Sequence, residues 1–67
     1  MAKFPNRLWN LRTAANMTQQ ELADIINASR RAVIKWEQGQ AQPNCGSIIA
    51  LAVLFQVSTD YLLGLTD

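Results

Sequence analysis

Two amphipathic stretches separated by about three residues constrain this chain more than any other feature of it. Residues 19–38 read QQELADIINASRRAVIKWEQ. Leu22, Ala23 and Ile26 recur at helical spacing before Asn27, and Val33 and Trp36 do so after Ser29. Helices joined by so short a connection must cross steeply, which requires a small residue at the crossing and a turn residue that tolerates positive φ. Ala23 and Asn27 meet those needs, since Asn, after Gly, adopts the left-handed conformation most readily.

The remaining sequence extends the helical pattern, and nowhere does it alternate as a half-buried strand would. The spacing predicts a compact all-α domain over residues 1–67, with helices at about 5–15, 18–26, 29–38, 45–56 and 59–63. In the first, Pro5 suits the opening turn, Phe4, Leu8, Leu11 and Ala15 form the apolar stripe, and Asn16 ends it. Thr18 to Glu21 is a capping box, and Ser29, Asn44 and Ser58 are caps for the later helices. Gly39 and Gly64 are stop signals, and Ile48, Leu51, Ala52 and Phe55 make the core face of the fourth helix. Gly46 weakens that helix's first turn by roughly 1 kcal/mol relative to Ala.

Composition removes several classes of function. The chain has one cysteine and no histidine, so no internal disulfide, zinc cluster, Cys-His pair or Ser-His-Asp arrangement can form from it. No catalytic residue, metal or cofactor is expected, and Cys45 reads as a small buried apolar residue. The apolar residues are dispersed, with no run approaching the roughly 18 needed to cross a membrane. The opening Met-Ala-Lys-Phe-Pro lacks the features of a secretory signal, so a cytoplasmic location is expected.

A net charge of +1 argues at first against a nucleic-acid partner. The distribution argues the other way. Residues 30, 31, 34, 35 and 38 share the outer face of the third helix, bringing together Arg30, Arg31, Ile34, Lys35 and Gln38. Guanidinium and ammonium groups on one exposed helix face suit phosphates and the guanine edge in a major groove.

In these residues the chain resembles the lambda repressor-like, Xre/Cro-type helix-turn-helix regulators. The markers are R-L-x-x-L-R from Arg7, M-T-Q-x-E-L-A from Met17, S-R-x-x-V-x-K-W-E-x-G from Ser29, Pro43, L-A-x-L-F-x-V-S from Leu51 and D-Y-L-L-G from Asp60. The resemblance implies a five-helix domain with the helix-turn-helix at helices 2 and 3, and sequence-specific binding of double-stranded DNA by a small prokaryotic or phage-type regulator acting as a repressor. It implies that Arg30, Arg31 and Lys35 face base edges, and Ile34, where the family usually has a small or polar residue, shares that face. Gln19, Ser29, Gln38 and Gln40 would then face phosphates, and Arg12 and Glu37 would form a structural pair behind the recognition helix.

Ile34 could pack on a thymine methyl or lie partly buried against a neighbouring helix. Asn27 stands where the family usually has a turn glycine, and the loop from Gln40 to Asn44 carries amides where relatives often have Lys or Arg. One recognition helix reads few base pairs, so a homodimer on a palindromic operator is expected. Leu62, Leu63 and Leu65 either supply its surface or close the core. A different class of function, a protein-interaction module such as an antitoxin or anti-repressor target with a protein regulator as partner, would use Trp9 and Ile25 instead.

Overall fold

Helices begin in this chain where a side chain satisfies the amides that the first turn leaves free. Thr18 Oγ1 accepts from the Glu21 amide at 3.0 Å while Glu21 Oε1 accepts from the Thr18 amide at 2.8 Å, completing the capping box. Ser29 Oγ accepts from the Ala32 amide at 3.0 Å, Asn44 Oδ1 from Ser47 at 2.8 Å and Ser58 Oγ from Tyr61 at 3.0 Å. In the computed structural model, which describes residues 3–67, these caps start four of five helices. They are α1 (Phe4–Ala14), α2 (Gln19–Ile26), α3 (Arg30–Glu37), α4 (Cys45–Phe55) and α5 (Thr59–Leu63). Among the described residues there is no strand.

The helices stop at left-handed residues. Asn16 and Asn27 both have φ +59°, Gly39 has φ +73° and Gly64 has φ +82°. The end of α4 falls to Gln56 at φ +56°, a residue with no sequence signal for that conformation. Gly64 is required twice over, because a Cβ there would also lie 2.9 Å from Lys3 Cβ.

One core gathers Phe4 and Leu8 from α1, Leu22 and Ala23 from α2, Val33 and Trp36 from α3, Ile48 and Leu51 from α4, and Leu62 from α5. Leu8, Leu22, Ala23, Val33, Leu51 and Leu62 have no exposed surface. Burying a side chain such as Leu or Val fully is worth about 1.5–3 kcal/mol, so this small set dominates the driving force. Ala23 is wholly buried, and its small side chain suits the close packing of α2 on α3.

Three expectations are corrected here. Ala15 is exposed and outside α1, because the chain turns away at Asn16 before another helical residue can reach the core. Cys45 is exposed rather than buried, being the first residue of α4, a turn ahead of the first core residue Ile48. Leu62 is wholly inside, which removes it from any dimer surface.

The two ends of the described chain are tied together. The Arg7 guanidinium lies 4.0 Å from the centre of the Tyr61 ring, and its Nη1 donates to the carbonyls of Tyr61 and Thr66. Lys3 Nζ pairs with Asp67 Oδ1 at 3.2 Å.

Candidate nucleic-acid interface

The outer face of α3 is built by its inner one. Val33 and Trp36 face inward, so helical geometry turns residues 30, 31, 34, 35 and 38 outward. Arg30, Arg31 and Gln38 are exposed, and Ile34 and Lys35 are half-buried on the same side. Gln40 follows, exposed, in the loop leaving the helix.

At the start of α3 the charge on this face runs against helix stability. Arg30 and Arg31 occupy the first turn of α3, which holds no acidic residue. The positive end of the helix dipole disfavours cations there by about 0.3–1 kcal/mol each. Two guanidiniums added to that end form a concentrated positive site, and local rules are broken this way mostly where function requires it.

The other described cations are engaged inside the molecule. Arg12 pairs with Glu37, Lys3 with Asp67, and Arg7 donates to backbone carbonyls. Among the described residues, Arg30, Arg31 and Lys35 have no carboxylate partner. Among the described residues, the three cations without an internal partner therefore all stand on α3.

Beneath them lies a buried polar junction. Arg12 Nε donates to Glu37 Oε2 at 2.6 Å, Arg12 Nη2 to Glu37 Oε1 at 3.0 Å, and Arg12 Nη1 to the Met17 carbonyl at 2.8 Å. The two side chains are only 11% and 5% exposed. Hydrogen bonding to Glu37, the largest influence, and the attraction of its charge raise the Arg12 pKa above its ordinary value against the opposing effect of burial. This fork answers the unfavourable position of Glu37 at the C-terminal end of α3.

Gln19 joins the same junction, its Nε2 donating to Glu37 Oε1 at 3.1 Å. Sequence reasoning aimed this side chain at phosphate and gave no sign of the inward bond, which links residues far apart in the chain. The amides of Gln19 and Gln20, at the open end of α2, have no acceptor within the described chain. Ser29 is exposed, with its oxygen accepting from Ala32 and its own O–H left to donate.

Two apolar features lie away from α3. Ile49 and Val53, four residues apart on α4, are 58% and 73% exposed. Leu65 is exposed, Leu63 is half-buried against the core, and Trp9 and Ile25 are exposed as the sequence suggested. Among the described residues no group of side chains could hold a metal ion, and no helix is long and apolar enough to cross a membrane.

Comparison with known proteins places this geometry. A Helix-turn-helix family profile matches residues 10–62. The HTH-type transcriptional activator BcrR of Enterococcus faecalis is 41% identical over 61 residues, covering 91% of this chain and 30% of that protein. The cryptic phage CTXphi transcriptional repressor RstR of Vibrio cholerae is 36% identical over 62 residues, covering 92% of this chain and 55% of that protein. The chain thus spans between about a third and about half the length of these curated relatives. Among solved structures, the P22 c2 repressor in complex with a synthetic operator superposes with a TM-score of 0.84 at 29% identity, covering 88% of this chain and 89% of that one. The restriction-modification controller protein C.AhdI from Aeromonas hydrophila gives 0.80 at 33% identity, covering 90% and 91%.

Proposed function

The chain belongs to the helix-turn-helix family, and from that membership we propose that it binds double-stranded DNA sequence-specifically as a transcriptional regulator, with α3 in the major groove. The observation that carries this reading is that the three described cations without internal partners share one face of one helix. Arg30 and Arg31 suit a bidentate contact to guanine, each good contact being worth about 1–3 kcal/mol of discrimination. Lys35 serves a base edge or a flanking phosphate, and half-buried Ile34 packs on a thymine methyl. Gln19, Ser29, Gln38 and Gln40 serve the sugar-phosphate backbone. We take its action to be repression in the cytoplasm of a prokaryote, the activity for which its relative RstR is named.

The regulator works as a homodimer, with recognition helices about 34 Å apart on a palindromic operator. Its surface is apolar and lies off α3, with Leu65 and Leu63 joined by Ile49 and Val53. Sedimentation at micromolar concentration that finds only monomer, with and without DNA, would remove it.

Selection from a random DNA pool, followed by binding of the chosen duplex to Arg30→Ala with Lys35→Ala, tests the main reading. Loss of binding with an unchanged helical spectrum supports it. Regulation retained despite those two substitutions would favour the second reading, a protein-interaction module using Trp9 and Ile25, which are 52% and 55% exposed.

A further inference from the structure

We propose that Glu37 is a positioning residue for the DNA backbone: it holds the Gln19 carboxamide so that one Nε2–H is fixed inside the protein and the other is presented to a phosphate. The inference rests on the DNA-binding reading and gives that reading a specific device. A glutamine at the start of a helix has three freely rotating side-chain bonds, and ordering them is a loss that binding must overcome. Here the ordering is done beforehand. Glu37 is itself immobile, since Arg12 grips both its oxygens and is held in turn by the carbonyl of Met17, the residue before the α2 cap.

Gln19 Nε2 reaches the same Oε1 at 3.1 Å. A primary amide has two N–H donors, and a single acceptor takes only one of them. The second stands on the half-buried side chain whose own backbone amide, with that of Gln20, has no acceptor within the described chain. Three donors thus stand at the start of α2, and the carboxylate behind them keeps the side-chain donor in place. The recognition helix and the backbone-binding helix are thereby locked at one buried carboxylate.

Phosphate contacts do not depend on base sequence, so a nonspecific 20-base-pair duplex at low salt is a sufficient probe. Gln19→Met keeps the length of the side chain and removes the donor; it should weaken binding about three- to tenfold without changing the fold. In the Arg12→Met, Glu37→Leu background, which has no acceptor at position 37, the same substitution should cost less than twofold, because the donor is no longer held. Equal losses in both backgrounds, or unchanged binding by Gln19→Met, would overturn the proposal. Nuclear magnetic resonance of the parent gives a readout independent of the variants. The Gln19 Nε2 proton bonded to Glu37 should lie downfield of the usual glutamine side-chain range and exchange slowly with solvent in the free protein, and duplex should move the outer one; two protons at ordinary glutamine shifts with ordinary solvent exchange would also overturn it. If the parent fails to bind duplex at all, the DNA-binding reading falls together with the proposal. If it binds through Arg30 and Lys35 but Gln19→Met costs the same in both backgrounds, only the proposal falls.

Discussion

Replacing Glu37 by Gln removes one charge from the buried pair and leaves its shape intact. The Glu37 side chain is 5% exposed and receives N–H bonds from Arg12 at 2.6 and 3.0 Å and from Gln19 at 3.1 Å. Glutamine keeps one acceptor oxygen but turns an N–H toward the guanidinium, donor against donor. Breaking a buried ion pair by removing one partner costs about 3–5 kcal/mol, and the retained oxygen puts this case near about 3 kcal/mol. A chain of 67 residues, at about 0.05–0.15 kcal/mol per residue, has only about 3–10 kcal/mol in total. At about 4–8 °C per kcal/mol the midpoint should fall by roughly 12–24 °C, followed by far-ultraviolet circular dichroism. Arg12→Met combined with Glu37→Leu should recover most of that loss, because removing both charges also removes their desolvation. The Arg12 pKa is raised in the folded state, so its contribution is complete below the unfolded value and is lost only as pH rises through the folded one. Around neutral pH the Arg12 contribution is therefore flat. A Glu37→Gln midpoint within a few degrees of the parent would refute the structural role of the pair.

Gln56→Gly should stabilise the domain by about 0.5–1 kcal/mol in urea melts, since Gln56 holds a left-handed conformation that favours glycine. Leu62→Ala should cost about 2–5 kcal/mol in the same assay, whereas Leu65→Ala should change stability by less than about 0.5 kcal/mol. Four phosphates neutralised per subunit would give a slope of log K against log salt near about −3.6, and Lys35→Ala should make it shallower by about 0.9; a slope of zero would remove DNA binding. Hydrogen bonds from the Thr18 backbone first and its side chain second hold the Glu21 carboxyl below the ordinary carboxylate range. A depressed pKa contributes stability above the unfolded value and loses it as pH falls through the folded one. Glu21→Gln should therefore melt below the parent near neutral pH and converge with it in acid.

The helix starts were legible in the sequence because capping is local: Thr18, Ser29, Asn44 and Ser58 each satisfy an amide three residues on. Asn27 and Gly64 were legible as stops for the same reason, whereas Gln56 was not, since its conformation is imposed by where α4 must end against the core. Cys45 and Ala15 misled because apolar character says nothing of whether a helix end overhangs its neighbours. At the candidate site, the α3 face followed from spacing alone. The inward turn of Gln19 and the stacking of Arg7 on Tyr61 did not, because both depend on partners brought close only by the finished fold.

The clasp between Arg7 and the carbonyls of Tyr61 and Thr66, with Lys3 beside Asp67, also makes the described residues, 3–67, close to circular in space. A short flexible linker could join its ends, and new ends could be opened in the exposed stretch around Gln40 without cutting a helix. In such a permutant α4 and α5 would precede α1 in the order of synthesis. Segments attached beside Lys3 and beside Asp67 would leave from the same corner of the domain.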